Sequence, residues 1–213
     1  MQTITQISEN KKNKNRVSIF VNDEFVLSCD KELIYTKSLK KGQSVDVSTL
    51  RELAIEDDYL RARDTSFRFL EKTMKTEKQV RDRLLEKEFE PSTIDRVIVL
   101  LEEYNLLDDR HYVELFLKEK LRSRGIKKVT YELYNKGIKK EMLEEILEDF
   151  DTGSLEEESC QKLAEKKFSE IKKKEEDRYK QKSKLYSFLA GKGYGYEMIN
   201  AVIRQVMDET SEE

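Results

Sequence analysis

Three segments of this chain repeat the same apolar spacing, and that repetition limits the possible fold more than any other feature. Phe89, Ile138 and Tyr194 can be aligned as anchors. Five residues before them stand Leu84, Leu133 and Leu189, and nine before stand Val80, Val129 and Leu185. Five residues after come Ile94, Leu143 and Ile199. Eight and nine after come the pairs Val97/Ile98, Ile146/Leu147 and Val202/Ile203, and twelve after come Leu101, Phe150 and Val206. Any three amphipathic helices align on their stripes, but these columns match without a gap. Lys87, Lys136 and Lys192 also coincide, two residues before the anchor. Within each copy the apolar residues recur at helical spacing, as Ile94, Val97, Ile98 and Leu101 do at i, i+3, i+4 and i+7. A helix before each copy completes it: Tyr59 to Met74, Tyr112 to Leu121, and Cys160 to Tyr179. The pattern predicts three tandem three-helix units, each burying a small core and stacking on its neighbour.

The first fifty residues follow another period. Val17, Ile19 and Val21 alternate with Ser18, Phe20 and Asn22, and Phe25, Val26 and Leu27 follow Asp23-Glu24. This predicts a β-hairpin, to which Thr3–Ser8 adds a strand. Lys11, Lys12, Lys14 and Arg16 crowd the turn between these strands. A short helical segment then carries Leu33, Ile34 and Leu39, and helical spacing runs unbroken from about Ser48. The expected fold is mainly α: three tandem three-helix repeats in an elongated curved array, with a small N-terminal β-hairpin or antiparallel sheet extension. The expected boundaries are 1–55 for the extension and 56–107, 108–153 and 154–213 for the repeats.

Local signals place the helix ends. Pro91 suits a first helical position, and Gly137 suits a left-handed cap after a helix. Thr76-x-x-Gln79 and Ser154-x-x-Glu157 match the capping box.

Signals for catalysis are poor. The single histidine, His111, adjoins Asp108, Asp109 and Arg110. A His–Asp pair can do acid–base work, but the position reads better as a surface residue in the first turn of a helix. One histidine and two cysteines, Cys29 and Cys160, offer no metal spacing. The cysteines fit free thiols in a reducing cytosol. Gly191-Lys192-Gly193-Tyr194-Gly195 follows a helix rather than a strand, so it reads as a turn rather than a phosphate cradle. No cofactor or metal is expected. The longest apolar run, Val97 to Leu101, is five residues, far short of a membrane span. No secretory signal is visible at the N-terminus.

Charge is more informative. Charged residues make up 40% of the chain, yet its net charge is only −3, so a drive toward polyanions must come from local patches. Lys118 to Lys140 contains nine basic residues against two acidic ones. Within it Tyr131 lies about 160° around the helix from the core-facing Val129, and Lys127 and Lys128 precede it by four and three residues. Such an aromatic among cations suits base stacking or a protein anchor. It is also compatible with a solvated lysine-rich face carrying a stray tyrosine. Lys162 to Lys184 is basic too, but its interspersed acids read as a long solvated helix. The candidate contact residues are Lys118, Arg122, Arg124, Lys127, Lys128, Tyr131 and Lys136.

The segment Leu106-Leu107-Asp108-Asp109-Arg110-His111-Tyr112, followed by Phe116-Leu117 and then Glu132-Leu133-Tyr134-Asn135-Lys136-Gly137-Ile138, resembles the RecX family of recombinase regulators. Phe69-Leu70 before the helix from Val80 to Phe89 resembles the family's first repeat. The chain departs from the family's frequent Gly-Pro turn, having Arg124-Gly125-Ile126, and has Glu114 where a small residue is common. The resemblance implies a non-enzymatic protein that binds the RecA filament on single-stranded DNA. It would restrain ATP hydrolysis, strand exchange and co-protease activity. The chain itself is expected to be a cytoplasmic monomer, with single-stranded DNA as a second candidate partner. The competing reading is a stand-alone DNA-binding protein acting through the basic stretch of the second repeat. An enzyme is the third and weakest.

Overall fold

The computed structural model describes residues 2–209. The last four residues of the expected third repeat lie outside the described residues.

Alternation builds the N-terminal sheet. Along β2 (Arg16–Val21), Val17, Ile19 and Val21 face inward, and every second residue between them is partly exposed. β2 pairs antiparallel with β3 (Glu24–Asp30) through a two-residue turn, in which Asn22 and Asp23 have φ of 51° and 69°. Positive φ at both positions is what a type I′ hairpin needs, and Asn and Asp tolerate it. β1 (Gln2–Glu9) joins the other edge of β2, and β4 (Ser44–Val45) pairs with β1, giving the order β3-β2-β1-β4. The short α1 (Lys31–Thr36), capped by Asp30, supplies Leu33 to the core beneath. That core joins Ile4, Val17, Ile19, Val21, Cys29, Leu39 and Val45 to Leu53 of the first long helix.

That helix, α2 (Val47–Leu70), begins twelve residues before the expected Tyr59 and ends before Met74. Asp46 caps it: its carboxylate accepts the Thr49 N–H at 2.8 Å and both the Ser48 and Thr49 hydroxyls. These bonds favour the ionised form and lower the carboxyl to about 2. The early turns persist because Leu50 and Leu53 pack on the sheet. α2 is also bolted to the hairpin. Asp57, buried on α2, takes both guanidinium nitrogens of Arg16 at 2.8 and 3.1 Å and the Asp30 N–H at 2.8 Å.

The repeat columns coincide with the cores. Ala62 of α2, Val80 and Leu84 of α3 (Glu77–Leu85), and Ile94, Val97, Ile98 and Leu101 of α4 (Pro91–Glu103) form one cluster with Phe89. A second cluster comes from α5 (Asp109–Lys120), α6 (Ile126–Asn135) and α7 (Lys140–Asp149), around Leu117, Val129, Leu133 and Leu143. A third comes from α8 (Thr152–Lys172), α9 (Arg178–Lys192) and α10 (Tyr196–Glu209), around Phe168, Leu185, Leu189 and Ile199. Burying each set is the main favourable term for its unit. The fold is thus mainly helical, with three-helix repeats and an N-terminal antiparallel sheet, as the spacing predicts.

Helix ends confirm some signals and correct others. Pro91 opens α4, and Gly137 has φ of +90° after α6. Thr76 and Gln79 form the reciprocal box: the Thr76 N–H donates to Gln79 Oε1 at 3.1 Å and the Gln79 N–H to Thr76 Oγ1 at 3.3 Å. Ser154 is no cap. It lies inside α8, and its N–H donates to the true cap, Asp151, at 3.2 Å. The expected helix Cys160–Tyr179 is also two helices in part. α8 starts eight residues earlier and stops at Lys172, and Tyr179 belongs to α9, which Asp177 caps.

The chain forms two compact units, one of Met1–Met74 with Val80–Leu107 and one of Lys75–Gln79 with Asp108–Glu213.

Candidate interaction surface

All seven candidate residues fall in the second unit, on α5, on α6, in the turn between them and, for Lys136, at the C-terminal cap of α6. α6 has the steepest amphipathic pattern to build from. Val129 and Leu133 are fully buried, so the opposite side must meet solvent. Lys127, Lys128 and Tyr131 are exposed there, Tyr131 at 66%. Tyr134, one turn further along and 42% exposed, extends the face. The sequence reading did not select Tyr134, although its spacing of three from Tyr131 was the available signal.

The other candidates divide. Lys118, in the last turn of α5, and Arg122 in the turn are exposed. Arg124 is committed to an ion pair with Glu132 of α6. The Lys136 ammonium lies 5.8 Å from the centre of the Tyr112 ring and 5.5 Å from that of Phe116, two rings stacked at 5.8 Å. Its charge is partly spent on these π-faces. Lys128 leans on the third repeat, and its Nζ donates to the Gly191 carbonyl at 3.4 Å. On α6, Lys127 and Tyr131 are therefore the most available members of the set, with Lys118 and Arg122 exposed before it.

The start of α6 explains how this face is held without the family's proline. Gly125 is the cap residue and brings no side-chain acceptor. Instead Glu156, buried on α8, accepts the Ile126 N–H at 2.8 Å. A carboxylate at a helix N-terminus is favourably placed, yet burial dominates and pushes its pKa up, against the pull of the Ile126 N–H and Lys127. Gly125 itself donates to the Lys192 carbonyl at 3.0 Å. The Gly191–Gly195 segment is thus a helix-ending turn, with Gly193 at φ +95°.

His111 is exposed in the first turn of α5, where its N–H donates to Asp108 at 2.9 Å. Cys29 and Cys160 are buried free thiols, and burial lifts both to about 12. Among the described residues no group of three or more His, Cys, Asp or Glu side chains could hold a metal ion. No helix among them is long and apolar enough to cross a membrane.

The fold and surface define a helical-repeat protein that turns charged and aromatic helix faces to solvent. Comparison with known proteins gives it a family. Residues 2–46 match the regulatory protein RecX N-terminal domain, residues 62–99 the first RecX three-helix domain, and residues 155–203 the third. The chain is 43% identical over 206 residues to the regulatory protein RecX of Clostridium perfringens strain 13, covering 97% of each chain. It is 40% identical over 210 residues to that of Clostridium acetobutylicum, covering 98% of each. A crystal structure of regulatory protein RecX superposes with a TM-score of 0.71 at 20% identity, covering 98% of this chain and 100% of the other. That of RecX from Lactobacillus salivarius gives 0.63 at 24% identity, covering 71% of this chain and 97% of the other. The chain belongs to the RecX family of regulatory proteins.

Proposed function

We propose that this protein binds the RecA filament on single-stranded DNA and restrains its ATPase, strand exchange and co-protease activity. In this reading it is a cytoplasmic monomer that acts by binding, without catalytic chemistry or cofactor, in homologous recombination, DNA repair and the SOS response. The observation that carries the proposal is similarity along almost the whole chain to proteins named as RecX regulators. The α6 face supports it, because Tyr131 with exposed lysines is the kind of anchor that a protein interface uses. The repeat boundaries 56–107, 108–153 and 154–213, after an extension of 1–55, belong to the same proposal. One apolar cluster beneath the extension and one in each repeat support them.

The test is RecA ATPase on single-stranded DNA, titrated with the parent and with a Lys127→Glu, Tyr131→Ser variant. Neither side chain packs in the core, and because Lys127 acts on Glu156, circular dichroism melting checks that the variant is folded before inhibition is compared. Its half-inhibiting concentration should rise roughly tenfold, the scale of one interface anchor. Equal inhibition by parent and variant would remove the α6 face from the mechanism. No inhibition by the folded parent would remove the proposal.

A stand-alone DNA-binding role is the second reading. The exposure of Lys127 beside Tyr131 favours it, and salt dependence separates the two.

A further inference from the structure

The second unit sorts its charge by sign along the chain. Residues 118–140 hold nine basic side chains and two acidic ones, and both acids are taken: Glu119 by Lys120 at 2.6 Å and Glu132 by Arg124. Residues 141–158 hold nine acidic side chains and no basic one. α6 belongs to the first stretch and α7, after Lys140, to the second. The two helices have the same length, ten residues.

Burial fixes which sides of these helices are open. Leu143 and Ile146 of α7 are buried, as Val129 and Leu133 of α6 are. The open side of α7 carries Glu141, Glu145 and Glu148, at i, i+4 and i+7. The open side of α6 carries Lys127, Tyr131 and Tyr134 at the same spacing. Each stripe runs about 10 Å along its helix. Lys127 and Arg122, in the turn before α6, make no ion pair among the described residues, and neither do Glu141 and Glu148. Glu145 meets Arg110 at 3.0 Å, in a pair whose side chains are both at least half exposed and which water readily opens.

A stripe of cations and tyrosines calls for carboxylates. Ammonium and guanidinium groups pair with them, and a phenol O–H donates to them. The chain offers such a surface itself, on α7, at matching spacing and length. Within one molecule both stripes are exposed, and no ion pair joins them among the described residues.

We propose that the α6 face of one copy docks on the α7 face of a second copy. Lys127 and Arg122 meet the carboxylates of Glu141, Glu145 and Glu148, and the phenols of Tyr131 and Tyr134 donate between them. Each face meets a different face, so a joined pair keeps one open α6 and one open α7, and association runs head to tail without closing. The contact is small. Helices of ten residues, about 10 Å across, bury well under the roughly 800 Å² per partner of a stable interface. The chain is therefore a monomer when dilute, and copies join when concentrated or held side by side. A copy seated on Lys127 and Tyr131 covers the face assigned above to the recombinase, so the concentrated chain shields its own contact. That consequence rests on the recombinase reading, and the joint itself does not.

The test is sedimentation velocity of the full chain from about 10 μM to about 1 mM, at about 50 mM and about 500 mM salt. The average mass of the parent should grow with concentration at the lower salt and stay monomeric at the higher, where exposed charges are screened. Two variants each spoil one face: Glu141→Lys with Glu148→Lys on α7, and Lys127→Gln with Tyr131→Ser on α6. Each alone should associate at least about tenfold more weakly than the parent, because no native joint is left. Mixed, they should form a pair and nothing larger, since one native α6 face then meets one native α7 face. Circular dichroism melting checks that both are folded, and the curve of the parent decides the matter even if one is not. A parent that stays monomeric over the whole range overturns the proposal, and so does association that persists at the higher salt. Variants that associate as the parent does overturn it too, as do folded variants that fail to pair when mixed.

Discussion

A Cβ placed on Gly125 would stand 2.3 Å from the carbonyl carbon and oxygen of Gly193 and 2.4 Å from the Tyr194 nitrogen. Those are backbone atoms, and no side chain can swing aside to make room. Gly42 is the counter-example, since it has φ of +86° but open space around its Cα. Gly125→Ala should therefore cost about 3 kcal/mol, the upper range for overpacking a close contact. Gly42→Ala should cost about 1 kcal/mol, for holding an L residue in left-handed geometry. Urea unfolding measures both, and equal losses would mean that the Gly125–Gly193 approach relaxes easily. At this scale the sequence was partly legible. The exposure of Tyr131 followed from its angle to Val129, because helical period is local. The need for glycine at 125 did not, because the atoms that forbid a side chain come from a different repeat. Lys136 shows the same limit: repeat alignment found it, but only the fold brings the Tyr112 and Phe116 rings beneath its ammonium.

Elements begin where a cap and a packing partner agree, and α2 needs both. Asp46 satisfies its first donors, and the sheet covers its first turns. The sequence marked helical spacing from about Ser48, but repeat alignment placed the helix start at Tyr59. The early turns serve the sheet core and so have no counterpart column in the other repeats. Ser154 illustrates the opposite error. Its spacing to Glu157 fits a box, but Asp151 three residues earlier accepts both the Ser154 N–H and the Ser154 hydroxyl, so the helix starts at Thr152 and Ser154 lies inside its first turn. Thr76 keeps the Gln79 N–H, because the nearby Asp109 carboxylate takes the Glu77 N–H at 2.9 Å instead, and the Thr76 hydroxyl also donates to the Lys136 carbonyl at 2.6 Å. Between elements, Arg16 and Asp57 join the hairpin to α2 in the first unit, and burial raises what is lost when one partner goes. Asp57→Ala leaves a partly buried guanidinium and the Asp30 N–H without their acceptor. The loss should be about 3 kcal/mol by urea unfolding. A loss below about 1 kcal/mol would mean that water replaces the carboxylate and that the joint is dispensable.

Over the whole molecule, the three cores were legible because each is built from spacing within about fifty residues. The division into two units was not. Lys75–Gln79 belongs with the second unit, and its bonds to Lys136 and Asp109 span 60 and 32 residues. Charge follows the same logic. With a net charge of −3, no long-range field draws the chain to a polyanion. Any nucleic-acid binding is then a sum of local phosphate contacts and should decay steeply with salt. With three to five such contacts at about 0.7 each, raising salt from about 50 to about 200 mM lowers oligothymidylate affinity roughly twenty- to a hundredfold. Inhibition of RecA should behave differently if it rests on protein contacts such as Tyr131. Apolar and aromatic burial is insensitive to this range of salt, so the half-inhibiting concentration should move by less than about threefold. Measuring both curves on one preparation compares them without differences in folding or concentration. Parallel decay would mean that the protein inhibits by competing for DNA, and the stand-alone DNA-binding reading would replace the filament one. Divergence would mean two separable surfaces, one for phosphates and one for the recombinase.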